Sequence, residues 1–223
     1  MYLEQHSMSS CPVRPASASA RTVEIAGGVN LPSFTMSFAA NEEIFGEEED
    51  ADFLYQIVSG SVRTTRTLSD GRRQIAAFHF AGDVFGLECG GVHRVTAEAI
   101  ETSEIALVRR AVLQRAVEDD RQVARQLWSL TSRELQRAED QMVLLGCKTA
   151  RERLGAFLLD LSARCRSSAE IDLPMSRSDI ADHLGMTVET VSRTFTQLAR
   201  ERVVALPSSR HVLLLDRAAL ARA

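Results

Sequence analysis

The chain has 223 residues, is 45% hydrophobic and 25% charged, and carries a formal net charge of −4. Such a chain can bury a core without disulfide or metal staples, and no apolar run in it approaches the roughly 18–20 residues of a membrane helix. The polar, Ser/Ala/Pro-rich stretch Met1–Ala20 holds no apolar signal core, so a cytoplasmic protein without a membrane partner is expected.

Residues 1–30 carry few large apolar side chains and read as a flexible arm. Between 31 and 109, short β-rich runs recur at Phe53–Val58, Ser61–Thr65, Gln74–Phe78 and Val95–Ile100. Ser59-Gly60, Ser69-Asp70-Gly71, Ala81-Gly82-Asp83 and Gly90-Gly91 punctuate them. Many short strands at this spacing predict an antiparallel sandwich or barrel. The texture changes near Arg110, after which Pro is absent to Cys147 and Gly146 is the only Gly. Leu127, Thr131, Leu135, Ala138, Met142 and Leu145 recur at steps of three and four, one face of a long helix over 110–146. That stripe can cover the chain's own β-domain or a second copy. The helix is longer than a small barrel needs, which favours a dimer seam and hence a homodimer. Gly146 is placed to end or hinge the helix.

The remaining segment, 147–223, differs in charge. From Lys148 onward one Lys and eleven Arg face nine carboxylates, a net +3, which leaves −7 for the rest. A basic tail on an acidic front half marks the tail as the place to look for a polyanion. Ala150–Leu161 reads as a helix with Leu154, Phe157, Leu158 and Leu161 on its apolar side, and Ile171-Asp172-Leu173 as a short extended piece.

The most informative stretch runs from Met175 to Leu198. Ser176 with Asp179 three residues on is a capping-box start, and Ile180, Ala181 and Leu184 form the buried side of a short helix that stops at Gly185. Thr187 caps a second helix whose Val188, Val191, Phe195 and Leu198 share an apolar face. Two helices joined by Gly185-Met186-Thr187 make a helix-turn-helix. On the outer face Glu189, Ser192 and Arg193 stand at i, i+3 and i+4, near the end of the helix that reaches base edges in the major groove. Arg can donate two hydrogen bonds to guanine O6 and N7, Glu can accept from cytosine N4, and Ser can do either. An exposed Glu189–Arg193 ion pair is the bland alternative. Arg202–Leu206 and His211–Leu215 flank Pro207–Arg210, a hairpin that makes the module winged, with Arg210 at its tip either on a phosphate or simply solvated.

Other chemistries find little support. The four cysteines, Cys11, Cys89, Cys147 and Cys165, are scattered without a Cys-x-x-Cys pair, so reduced thiols and no metal site are expected. A Gly-rich phosphate loop, a nucleophile elbow and His-Glu-x-x-His are all missing, so an enzyme is not expected.

Thr187–Arg193 resembles the E-x-x-S-R recognition helix of the CRP/FNR transcription regulators, in its FNR/FixK form. The likeness continues through Lys148–Leu154, Leu54–Gly60 and Gly82–Glu88. It implies an α+β fold: an antiparallel β-roll like a cyclic-nucleotide-binding domain, a long dimerisation helix and a C-terminal winged helix-turn-helix. Only Cys11 precedes the β-domain, so the cysteine cluster of FNR has no counterpart and no cofactor is implied. Where cyclic-AMP receptors carry an Arg-Ser phosphate grip, this chain reads His93-Arg94-Val95, although Glu88 fits the pattern's acidic residue. An effector-gated sensor using haem (through His79 or His93), a cyclic nucleotide or thiol redox stays as the alternative. The resemblance implies an activator of low-oxygen respiration and nitrogen-fixation genes that binds TTGA/TCAA palindromes. Arg193 would then read the guanine of TTGA, Glu189 the opposite cytosine and Ser192 a neighbouring thymine. Ser176, Thr187, Thr190 and Arg210 become candidate contacts to the DNA backbone, and loops near Asp70-Gly71 and Arg166–Glu170 candidate contacts to RNA polymerase.

Overall fold

A computed structural model of the chain describes residues 21–25, 29–88, 91–164 and 169–221. The N-terminal half holds strands β1 (Arg21–Ile25), β2 (Val29–Phe38), β3 (Glu43–Phe45), β4 (Phe53–Ser59), β5 (Ser61–Thr67), β6 (Arg73–Phe80), β7 (Val84–Phe85), β8 (Thr96–Ala99) and β9 (Ser103–Arg109). Helices α1 (Arg110–Asp119), α2 (Arg121–Cys147) and α3 (Ala150–Arg164) follow. The tail adds β10 (Glu170–Asp172), α4 (Arg177–Leu184), α5 (Val188–Arg200), β11 (Val204–Ala205), β12 (His211–Leu214) and α6 (Arg217–Ala221).

Two antiparallel sheets, in the orders β1-β2-β9-β4-β7 and β3-β8-β5-β6, curl into the β-roll. Strand alternation assigns its faces. On β4 and β9, Tyr55, Ile57, Ile105 and Leu107 point into the roll with Phe38, Phe45, Val62 and Phe85. Leu54 and Val108 point the other way and pack with Ile25, Leu31, Val112, Leu113 and Leu130 under the helices.

Two expectations are corrected here. The stretch read as an arm through residue 30 contains β1, paired with β2 from Arg21↔Ser33 to Ile25↔Val29. The alternation in Arg21-Thr22-Val23-Glu24-Ile25 buries Ile25 beside Leu31, and five residues are too few to stand out against the polar stretch before them. Residues 1–20 lie outside the described residues. The helix expected over 110–146 is two: Asp120 takes an extended conformation, and its side chain accepts from the Gln122 N–H to start α2 afresh. Gly146 lies inside α2, which ends one residue later at Cys147.

α3, α4 and α5 with the small sheet β10-β12-β11 form the winged helix-turn-helix. Its core of Leu154, Phe157, Leu158, Ile180, Leu184, Val191, Phe195 and Leu198 runs without a break into Ile75, Phe78 and Ile100 of the β-roll. The register explains this continuity. Thr64 pairs with Ala77 but Thr65 with Ile75, so Ala76 is an extra residue and the strand bulges. That bulge brings Ile75 and Phe78, three apart, onto the outer face where the winged domain docks.

Candidate nucleic-acid interface

α5 is presented by three local devices. Ser176 accepts from the Asp179 N–H while the Asp179 carboxylate accepts from the Ser176 N–H, the expected capping box of α4. Gly185 ends α4 in the left-handed conformation (φ 61°, ψ 44°), which glycine adopts without a Cβ clash. Thr187 then caps α5, its hydroxyl 3.2 Å from the Thr190 N–H. Val191, Phe195 and Leu198 anchor one face of α5 in the core.

On the opposite face Glu189, Ser192 and Arg193 are all exposed, as are Ser176 and Thr187, while Thr190 is half-buried. The trio therefore stands together on the outward face of the first two turns. Among the described residues the Glu189–Arg193 ion pair is not formed; Arg193 Nε instead lies 3.4 Å from the Glu189 backbone oxygen. Its two Nη groups have no hydrogen-bond partner among the described residues. The Glu189 N–H and the Thr187 hydroxyl hold the Glu189 carboxyl below its ordinary pKa, so it is an acceptor at neutral pH. Arg210 is exposed at the wing tip, at the end of the β11–β12 hairpin.

One residue not anticipated from sequence is Arg177, the first residue of α4. Its guanidinium carbon lies 3.3 Å from the centroid of the Phe195 ring, and its Nη1 is buried without a hydrogen-bond partner among the described residues. Burial lowers its pKa to about 10, which leaves it charged at neutral pH. The contact ties the start of α4 to the recognition helix by a cation–π interaction.

The expected seam divides in three. Leu127 is half-buried and lines a small cavity with Ile25, Leu31 and Val123, and Leu145 lies against Gly185, so both ends face the chain itself. Thr131, Leu135, Ala138 and Met142 face outward. Trp128, absent from the expected stripe, is 77% exposed, with Leu135 at 61% and Met142 at 66%. Taking Trp128 instead of Leu127 gives the outward positions 128, 131, 135, 138 and 142, an alternation of three and four, which is heptad spacing. The heptad spacing itself was the signal for Trp128.

Inside the β-roll lies a cavity of about 230 Å³, lined in part by Phe45, Thr64, His79, Phe85, Glu88 and, from α2, Glu134. Its described lining holds two carboxylates and neither Arg nor Lys. His93 is buried with its ring stacked 3.6 Å from Phe45, and Arg94 of the same stretch is exposed. Burial drives the His79 imidazole down to about pKa 4, so it is neutral, with Nε2 3.2 Å from Thr64 Oγ1. Cys147 is free and exposed, whereas Cys11, Cys89 and Cys165 lie outside the described residues. The described residues contain no cluster of three or more metal-ligating side chains, and none of their helices is long and apolar enough to cross a membrane.

Residues 152–223 match the Crp-like helix-turn-helix domain and residues 35–120 the cyclic nucleotide-binding domain. The chain is 47% identical over 212 residues to the nitrogen fixation regulation protein FixK of Azorhizobium caulinodans, covering 93% of this chain and 84% of that protein. It belongs to the CRP/FNR family, in its FixK branch. FixK of Rhizobium meliloti is 38% identical over 189 residues, covering 85% of this chain and 86% of that one. The solved structure of FixK2 from Bradyrhizobium japonicum superposes with a TM-score of 0.83 at 48% identity, covering 85% of this chain and 96% of that chain. The chain is thus a FixK-type DNA-binding transcription regulator, and these relatives are regulators, not enzymes.

Proposed function

We propose that this FixK-type regulator works in the cytoplasm as a homodimer that binds TTGA/TCAA palindromes and recruits RNA polymerase. It needs no obligate small-molecule effector, and its genes are those of low-oxygen respiration and nitrogen fixation. The observation that carries the reading is the outward trio Glu189, Ser192 and Arg193, with Arg193 free of a carboxylate partner among the described residues. Arg193 donates to guanine, Glu189 accepts from cytosine and Ser192 meets a thymine; Ser176, Thr187, Thr190 and Arg210 position the backbone. A two-fold axis along the exposed face of α2 sets two such helices about 34–36 Å apart, one turn of the duplex. The exposed Trp128, Leu135 and Met142 supply that face.

Effector independence draws support from the β-roll cavity. A cyclic phosphate would enter a space whose described lining holds Glu88 and Glu134 and no Arg or Lys; the nearby Arg110 and Arg137 already face those two carboxylates, and His93 stacks on Phe45 beside Glu88. The polymerase contact assigned to the exposed Asp70-Gly71 turn rests on family likeness alone; of the second loop, Arg166 to Ser168 lie outside the described residues.

Gel shifts with a TTGA/TCAA duplex and a scrambled control, in air and without ligand, test this reading. Retardation of the palindrome alone is the expected result. Binding that appears only with an added effector would defeat it. Leu135→Glu should dissociate the dimer in sedimentation and abolish the shift, because a buried unpaired charge at a seam is strongly unfavourable.

A further inference from the structure

The winged domain is held to the β-roll by a set of charged side chains as well as by its core. Arg63 of β5 is buried and reaches Glu98 Oε2 (2.7 Å), Asn41 Oδ1 (3.2 Å) and Asp179 Oδ1 (3.3 Å). Arg73 of β6 donates from Nε and Nη2 to Asp182 Oδ2 (3.0 and 2.8 Å) and from Nη2 to Asp179 Oδ1 (2.8 Å). Asp179 is therefore shared: one carboxylate oxygen caps α4 through Ser176, and the other is gripped by two β-roll arginines. The far end of α4 is held as well, since Gln74 of β6 and Gln141 of α2 both donate to the His183 backbone oxygen (3.2 and 2.9 Å).

α4 has eight residues, well short of the roughly 12–15 a helix needs to stand alone in water, so its direction comes from what it touches. α5 follows α4 through their common core of Ile180, Leu184, Val191 and Phe195. A displacement of α4 must therefore move Arg193 and Glu189. We propose that Arg63 and Arg73 of the β-roll are positioning residues for DNA reading, which fix the pose of the recognition helix by holding Asp179 and Asp182. This rests on the effector-free reading above, because the contacts do from within the chain what a bound effector would otherwise do. Without them the winged domain keeps its own core but spends part of its time in other orientations, and apparent affinity falls by the fraction of competent molecules.

Asp182 and Arg73 are the residues to test, because neither takes part in the capping box. DNA affinity is measured by anisotropy on a TTGA/TCAA duplex, and backbone hydrogen exchange is followed separately in α4 and α5. Asp182→Ala and Arg73→Ala should each weaken binding about tenfold, within the usual range of coupling between sites. The double variant should be no weaker than either single, and Asp182→Glu should recover most of the loss. Exchange should rise in α4 while α5 stays protected; a general loss of fold would expose both together. Affinity within ~2-fold of the parent for both Ala variants, or losses that multiply in the double, would overturn the proposal. If the parent chain itself fails to bind without effector, the effector-free reading fails. The exchange arm still decides the latch: unchanged α4 exchange in both Ala variants sinks it, and a rise confined to α4 upholds the docking.

Discussion

Arg193 on α5 and Arg63 on β5 are the same residue type with opposite roles. Arg63 is buried and spends its guanidinium on Glu98, Asp179 and Asn41. Arg193 is exposed, and among the described residues its one hydrogen bond goes to a backbone oxygen of its own helix, at 3.4 Å. An internally satisfied cation has nothing left to offer a ligand, and removing it leaves partners unpaired in the interior. A cation whose neighbours leave it free suits an acceptor that arrives from outside. On the proposal above, the docking face of α4 is therefore where stability is decided, and the outer face of α5 is where sequence would be read.

The sharpest way to break this division is at the docking face. Phe78 is buried between Phe157 (6.0 Å between centroids) and His183 (5.0 Å), although it belongs to the β-roll and they to the winged domain. Phe78→Ala should cost about 3–5 kcal/mol of unfolding free energy, the usual loss for a buried phenylalanine, in urea titrations followed by circular dichroism. A loss under 1 kcal/mol would mean that the shared core is not a core.

Acid tests the same interior next. Desolvation lowers the pKa of His79 to about 4 and pulls that of His183 below its ordinary value. A lowered histidine pKa means that the unfolded chain takes up the proton first. Stability is then complete above about pH 6.5 and falls as the pH drops toward the folded values. His79→Gln should flatten that slope between about pH 6.5 and pH 4. Asp179 acts lower. Burial opposes its charge, but Ser176, Arg63 and Arg73 together hold its carboxyl below the usual range. Its contribution is intact at pH 4.5 and disappears only as the pH falls below about 3.9.

The reading face gives smaller and different effects. Arg193→Ala should weaken binding to the palindrome by about 1–3 kcal/mol and relax discrimination at one base pair. Unfolding should change by less than about 0.5 kcal/mol, as for other exposed sites. An equal loss on scrambled DNA would make Arg193 a phosphate contact.

How much of this was legible beforehand depended on the range of the interaction. The capping box, the Gly185 stop, the Thr187 cap and the trio on α5 all lie within four residues of their partners, and spacing alone reveals them. Contacts across more than a hundred residues left no such trace. No partner of Arg63 or Arg73 on α4 is near them in sequence, and only the bulge at Ala76 shows why β6 offers Ile75 and Phe78 together. The stripe expected on α2 begins at Leu127, which is half-buried, while the neighbouring Trp128 is exposed. Leu127 and Trp128 fit a helical face equally well there, and the β-roll, not the periodicity, decides which is buried. The reciprocal bonds between Thr149 and Glu152 that start α3 are local in the same way, three residues apart.

Ser176 stands on the boundary between the two faces, and its removal should produce the smallest effect with the most diagnostic pattern. Its hydroxyl accepts from the Asp179 N–H at 3.0 Å and donates to Asp179 Oδ2 at 2.7 Å, while the residue remains exposed on the side proposed for the DNA backbone. Ser176→Ala removes the cap and should cost about 1 kcal/mol of stability. Loss of one donor to Asp179 leaves that carboxylate more dependent on Arg63 and Arg73. Combining Ser176→Ala with Arg73→Ala should therefore cost more than the two changes apart, since they act on one shared group. A phosphate contact carries no base information, so DNA affinity should fall by the same factor on the palindrome and on the scrambled duplex. A loss confined to the palindrome would assign Ser176 to the reading face through the tilt of α4, and would show that the cap and the arginine latch set one and the same angle.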